Sequence, residues 1–466
     1  MTDVVKHAAE TRIKVIQATN DDKRSALSQH LTPPETAKLA ASMFSDLEAD
    51  QQFIRCLDLG AGTGMLSVAL YDRYDGHIGQ IDAVEMDEAL ATIYEAEMAS
   101  VGVPHDLILG DALVDAPDRL YDRVILNPPY KKMAAGDVRQ RNLPCRSANL
   151  YSAFIAVGLS RLAEGGELVA IVPRSWMNGD YFTSFRRYAL SFFSLDAIHI
   201  YESRTEVFSD TKVLQETMLV RFSNRRQSKC VKVTQSIGKS DVITMSEHAA
   251  DALIDPLTYV VRIAPEGADG PGETISSSGL CPSTGKVVDF RSKERIYNDK
   301  PDSDAIYPLL YAGNFSSGEM THPRDFGKPQ WYRADDEKSM QQLMQPGSYV
   351  VVKRFTSKEE KRRVAAFPLT LETPITLENH LNFIHEGTSR KVVPLRSAEL
   401  SRGLALWLNT TFVDEWFRNV SGSTQVNAGD IRAMPCPPLD QLEDIGMCWK
   451  PGMTQAEVDE VCESVR

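Results

Sequence analysis

The stretch Leu57–Met65, "LDLGAGTGM", sets the frame for the whole chain. An apolar run ends in three alternating glycines, Gly60, Gly62 and Gly64, and an amphipathic run follows at once. Glycine reaches backbone conformations that other residues avoid and lets the main chain approach a ligand closely. Strand, glycine turn and helix in that order is the setting of a nucleotide-binding loop. Working outward, "FIRCLDLG" (53–60) reads as a strand and "TGMLSVALYDRY" (63–74) as a helix. "QIDAVEMD" (80–87) is a second strand, and "EALATIYEAEMASVG" (88–102) a helix stopped by glycine. Short strands follow at 106–111 and 122–127, then a glycine-ended helix over 147–166 and a buried strand, "ELVAIVP" (167–173). Such alternation predicts an α/β, Rossmann-like sheet, mainly parallel, with helices on both faces. Ligands of these sheets sit at the carboxyl ends of the strands.

After about residue 224 the pattern changes. Pro and Gly become frequent, as in "APEGADGPGETISSSGLCPSTGK" (264–286). Short β-like runs, "YVVVKRF" (349–355), "RVAAFPL" (363–369) and "LNFIHE" (381–386), alternate with loops, and one long helix is expected over 397–419. The expected division is therefore residues 1–224 and an α+β domain over 225–466. A chain of 466 residues supports two domains. Its hydrophobic content of 42% and charged content of 25% are those of a soluble globular protein. No apolar run is long enough to span a membrane, and "MTDVVKHAAETRIK" lacks the apolar stretch of a signal peptide. The seven scattered cysteines, with no C-x-x-C, suggest reduced thiols in a cytoplasm and no zinc site. A net charge of −13 argues against coating nucleic acid through bulk charge, so any positive face must be local.

Twenty-one residues after Gly64, the second strand ends in Glu85, a spacing that suits a ribose hydroxyl pair. The third strand ends in Asp111, which suits either an adenine amino group or a plain helix N-cap. The cofactor is then NAD or S-adenosylmethionine. The pattern G-A-G-T-G is not the dinucleotide G-x-G-x-x-G, and the fourth strand decides. It ends in "NPPY", Asn127 to Tyr130. A [DN]-P-P-[YF] string arises by chance in roughly one chain per hundred of this length. The Asn127 side-chain oxygen and the Pro128 carbonyl are acceptors, and the two prolines hold the loop rigid. Two acceptors aimed at the two hydrogens of an exocyclic amine favour a tetrahedral nitrogen with its lone pair free to attack a sulfonium methyl. Tyr130 offers a flat face to a planar base. A base inside a duplex must be flipped out to enter such a site.

The order "HLTPPETAKLAASMF" (30–44), "LDLGAGTG", "VEMD", "GDAL", "NPPY" and a long C-terminal region resembles the gamma-type N6-adenine DNA methyltransferases of restriction–modification systems, the Taq-type methylases among them. The resemblance covers residues 28–222 with specific motifs and the rest more loosely. It implies an S-adenosylmethionine-binding catalytic domain followed by a target recognition domain. It places Thr32 and Pro33 beside the cofactor, Gly60 and Gly62 with Asp58 around its methionine part, Glu85 on its ribose and Asp111 on its adenine. Asn127, Pro128 and Tyr130 would hold the target base, with Phe208 as the second aromatic against it. The implied partner is double-stranded DNA, alongside a separately encoded restriction endonuclease, with the enzyme a monomer or homodimer. The same NPPY clamp also suits RNA bases or a protein glutamine, so that alternative stays open.

Two basic stretches are candidates for phosphate contact. "KKMAAGDVRQRNLPCR" (131–146) carries Lys131, Lys132, Arg139 and Arg141 just after the catalytic strand. "VVVKRFTSKEEKRRVAAF" (350–367) carries Lys353, Arg354, Lys358, Lys361 and Arg362. Each reads equally as a solvated face. Asn379, Gln425 and Asn427 have amides able to read adenine edges.

Overall fold

The glycine turn lies where expected, between β1 (Ile54–Leu59) and α3 (Met65–Tyr74), in a computed structural model of the chain. Residues 2–18, 31–48, 51–74, 76–201, 217–236, 242–263, 273–316, 318–356, 360–388, 390–420 and 425–465 are described. Two helices precede β1: α1 (Asp3–Ala18) and α2 (Pro34–Ser42). After α3 come β2 (Ile78–Glu85), α4 (Glu88–Val101), β3 (His105–Leu109) and β4 (Tyr121–Leu126). The chain continues through α5 (Leu150–Ser160), β5 (Leu162–Pro173), α6 (Thr183–Phe192) and β6 (Ser194–Tyr201). Strands β7 (Thr217–Ser223), β8 (Cys230–Ser236) and β9 (Val242–Ala249) complete a nine-stranded sheet of order β3-β2-β1-β4-β5-β7-β6-β8-β9.

β1 pairs in parallel with both β2 and β4, and β7 runs antiparallel to both β5 and β6. The strand order reverses between β1 and β4, so their carboxyl ends open a crevice there. Alternation along β1 serves both faces. Ile54 and Cys56 enter a core shared with Val5 and Ala8 of α1, Ala37 and Ala40 of α2, and Tyr94 and Met98 of α4. On the opposite face Leu59 reaches Gly158 of α5, where a Cβ would stand 2.7 Å from Leu168 and 3.2 Å from Val124. The ends of α4 follow simple capping chemistry: the Asp87 carboxylate accepts from Ala89 and Leu90 N–H, and Gly102 closes the helix at φ 76°.

Four expectations shift. The helix over 147–166 ends at Ser160, because Tyr121 N–H of β4 takes the Arg161 carbonyl and the chain turns into β5 at Leu162. Gly165 (φ 75°) and Gly166 are an irregularity within β5, not a helix stop. A side chain at Gly166 would strike the Tyr121 carbonyl at 2.7 Å. The chain divides into compact units at Met1–Arg262 and Ile263–Arg466, later than residue 224, because β8 and β9 add to the catalytic sheet.

The second unit is α+β. Its largest sheet is antiparallel, ordered Leu280–Thr284, Leu381–Thr388, Gly347–Lys353, Ala366–Leu371. The long helix expected over 397–419 is two helices, Ala398–Leu408 and Thr411–Val420. Asn409 leaves the helix to cap the sheet edge, accepting from Ala366 N–H (3.0 Å) and donating to its carbonyl (2.7 Å). Among the described residues no helix is long and apolar enough to cross a membrane.

Candidate active site

Gly60, Gly62 and Gly64 all adopt positive φ, at 79°, 58° and 85°, so the turn needs glycine at each. Glu85, at the end of β2, is 7% exposed and ties the turn down. Its Oε2 accepts from Gly62 N–H (2.8 Å), and its Oε1 from Met86 (2.9 Å) and Asp87 (2.8 Å) N–H. Burial raises its pKa and these three donors oppose the rise. Asp58 lies one layer deeper, fully buried. Ser67 donates to its Oδ2 (2.8 Å), Tyr94 stands 3.2 Å from that hydroxyl, and Oδ1 has no hydrogen-bond partner among the described residues. Desolvation pushes its carboxyl up to about 7.

These groups border a cavity of about 440 Å³. Gly60, Gly62, Glu85 and Asn127 line it, as do Gly110 and Ala112 on either side of Asp111. Its apolar wall comes from Leu31, Met86, Pro129 and Phe154. Met86, 59% exposed beside a buried glutamate, joins the site from the motif "VEMD", where an apolar residue between two carboxylates at a strand end is its sequence signal. Phe154 sits mid-helix on α5, where nothing distinguishes it in sequence from a core residue.

Asn127 stands at the end of β4, and its amide is oriented by a neighbour not anticipated. Its Nδ2 donates to Thr32 Oγ1 (2.9 Å), which leaves Oδ1 as the acceptor end. Thr32, expected beside the cofactor, is buried beneath Asn127. The segment is pinned from α1, where Arg12 Nε (3.0 Å) and Nη2 (2.8 Å) donate to the Leu31 carbonyl, and Pro33 then leads into α2. Pro128 is buried. Tyr130 is half-buried, its hydroxyl donating toward the Ile171 carbonyl (3.1 Å) and lying 3.3 Å from Asn127 Oδ1. Desolvation raises the pKa of this phenol, which suits an anchor and not a proton donor. Its ring meets Tyr151 edge-on, with centroids 6.2 Å apart.

The basic residues fare unevenly. Lys131, Lys132 and Arg141 are exposed. Arg139 is turned inward, its Nη1 on Asp111 (3.0 Å) and its Nη2 on Asp137 (2.6 Å). Asp111 thus holds Arg139 with one oxygen and Leu113 N–H (3.0 Å) with the other. In the second unit, of the four candidates among the described residues, Lys361 alone is exposed. Lys353 Nζ lies over Phe367, 5.5 Å from the ring centroid. Arg354 donates to the Asn379 carbonyl (3.1 Å) and to Gln425 Oε1 (3.3 Å). Arg362 lines a second cavity, with its guanidinium pKa lowered by desolvation. Phe208 and Lys358 lie outside the described residues.

A glycine-loop cavity at the switch point of this sheet, with NPPY on its rim, defines a cofactor-dependent methyltransferase. Comparison with known proteins agrees. Residues 78–208 match the Eco57I restriction-modification methylase family. The Type II methyltransferase M.BsuBI of Bacillus subtilis is 32% identical over 96% of this chain and 94% of its own. The Type II methyltransferase M.PstI of Providencia stuartii is 30% identical over 99% of this chain and 96% of its own. The Type IIL restriction-modification enzyme MmeI, solved in complex with DNA, shares the fold at a TM-score of 0.53 and 12% identity, covering 97% of this chain and 74% of that one. The chain belongs to the Type II methyltransferases and uses S-adenosylmethionine. The cavity fits that donor: apolar walls for a base and a strand-end carboxylate in Glu85.

Proposed function

We propose that this enzyme methylates the exocyclic N6 amine of an adenine flipped out of double-stranded DNA, as the modification enzyme of a restriction–modification system. The observation that carries the proposal is that Asn127 and Pro129 line the same cavity as Gly60, Gly62 and Glu85. The cofactor supplies an electrophilic sulfonium methyl. The chain supplies positioning and acceptors. Thr32 holds the Asn127 amide so that its oxygen, with the Pro128 carbonyl, receives the amine hydrogens, and Tyr130 gives the base a face to stack on. Glu85 binds the ribose, and Asp111 binds the adenine once Arg139 yields. Residues 263–466 then serve as the target recognition domain, with a nuclease encoded separately and a monomer or homodimer as the working form. Seven free thiols suit a reducing cytoplasm.

Expression in a host lacking adenine methylation, followed by long-read mapping of modified bases, tests this directly. One sequence motif carrying N6-methyladenine is the expected result. Unmodified DNA together with methylated RNA or protein glutamine would transfer the NPPY clamp to the other substrates it suits.

A further inference from the structure

In the second unit three separate segments, 353–356, 378–382 and 425–427, are tied together by main-chain bonds. Arg354 N–H donates to the His380 carbonyl (3.0 Å), and Val426 N–H to the Arg354 carbonyl (2.8 Å). Asn382 Nδ2 donates to the Val426 carbonyl (2.6 Å), and Phe355 bridges Gln425. The Arg354 guanidinium then holds the Asn379 carbonyl and Gln425 Oε1. Glu378, 1% exposed, accepts from both the N–H (2.9 Å) and the Nδ1 (2.5 Å) of His380. The Phe355 ring lies against the imidazole at 4.6 Å between centroids.

What is left unspent is informative. The Asn379 side chain makes no hydrogen bond among the described residues, although its carbonyl is held by Arg354 and its N–H by Val287 (2.9 Å). A carboxylate accepts only, so Nδ1 of His380 carries the hydrogen facing Glu378; Nε2 makes no bond among the described residues, on a side chain 52% exposed. The other two amides singled out from sequence are already committed. Gln425 receives Arg354, and Asn427 caps its own helix through Asp430. Pinned backbones with free polar tips are the requirement for reading base edges. An Asn amide matches adenine N6 and N7 in the major groove, and an imidazole nitrogen matches a purine edge.

We infer that Asn379 and His380 read base edges in the major groove of the target duplex, with Arg354, Phe355 and Glu378 as positioning residues. The inference rests on the proposed action on DNA. The test uses the full chain with Asn379→Ala, Asn379→Asp and His380→Ala. Methylomes in a host lacking adenine methylation are combined with rates on duplexes carrying single base-pair changes. Discrimination should fall on the order of 10–100-fold at one base pair per residue and stay unchanged elsewhere. Cofactor affinity and Tm should stay at wild-type values. Asn379→Asp preserves size and keeps the test open should the alanine variant fail to fold. Wild-type specificity at every position in the folded variants at Asn379 and His380 overturns the inference, as does a uniform loss with lowered Tm. A wild-type enzyme that leaves DNA unmodified instead defeats the proposed function, and shows itself before any variant is made.

Discussion

The glycine-turn cavity and the basic stretch of the second unit are both built from residues conspicuous in sequence, yet their side chains are disposed in different ways. At the cavity, Gly60, Gly62, Glu85 and Asn127 converge because each sits at a strand or turn end, and parallel pairing brings those ends side by side. In the basic stretch, residue type says nothing about partners. Arg354 and Arg362 turn to internal acceptors or a cavity wall, and Arg363 is buried under Thr356 and against Phe417. Backbone-determined sites are legible where side-chain-determined ones are not. Long cations reach many partners, and the first buried acceptor claims them before solvent or phosphate does.

The contrast is most exposed to failure at Asn127. Its oxygen is proposed to strengthen its hold as the amine becomes tetrahedral, so its contribution belongs to the transition state. Asn127→Ala should lower single-turnover methylation by roughly 10²–10³ while calorimetric cofactor affinity stays near wild type. Thr32→Val should lower the rate by a smaller factor, because the amide persists but loses the donor-side partner that orients it. Near wild-type turnover in Asn127→Ala would break the proposed clamp.

Asp58 comes next. Its folded-state carboxyl is raised to about 7, against an unfolded value near 3.8. Between those values the folded state keeps a proton that the unfolded chain has lost. Stability should therefore fall as pH rises from about 4 to 7 and level off above, by on the order of 4 kcal/mol from this group. Asp58→Asn should flatten that slope in urea titrations and leave the protein more stable than wild type at pH 8. An unchanged slope would show that water reaches the buried carboxylate.

Glu85 follows. Its removal deprives three N–H groups of their acceptor, so Glu85→Ala should weaken cofactor binding by roughly 1–3 kcal/mol. Unchanged calorimetric affinity in a folded protein would leave Glu85 a clamp on the glycine turn and nothing more.

Most of the first sheet was legible because its period-2 and glycine signals are local. The shifts arose where a distant partner decides. Nothing in "LAEGGELVAIVP" announces that Tyr121 will pair with Leu162 and draw the glycines into the strand. Nothing in "WLNTTF" announces that Asn409 will abandon its helix for the Ala366 edge. The boundary moved past residue 224 because β8, "CVKVTQS", buries only alternate residues and pairs with β9 in the same sheet as β6. At the site, the glycine turn, Glu85 and NPPY were readable as motifs. The Thr32–Asn127 bond joins residues 95 apart and needed the fold.

The smallest expected effects concern charge, and they separate exposed cations from committed ones. Each phosphate contact releases counterions, so its loss lowers the slope of log K against log salt by about one. Lys131→Ala, Lys132→Ala and Arg141→Ala, made together, should lower that slope by up to about three, since all three are exposed beside the catalytic strand. Lys361→Ala should lower it by about one at most. Arg354→Ala and Arg362→Ala should leave it nearly unchanged, because their guanidinium groups face Asn379 and Gln425 or a cavity wall. Arg139→Ala should also spare the slope and instead alter cofactor affinity, since its loss frees Asp111, whose chain neighbours Gly110 and Ala112 line the cavity. A slope reduction shared equally by Arg354, Arg362 and Lys361 would show that these side chains abandon their internal partners for phosphate. The second unit would then grip DNA through the whole stretch, and its apparent difference from the exposed loop after β4 would vanish on binding.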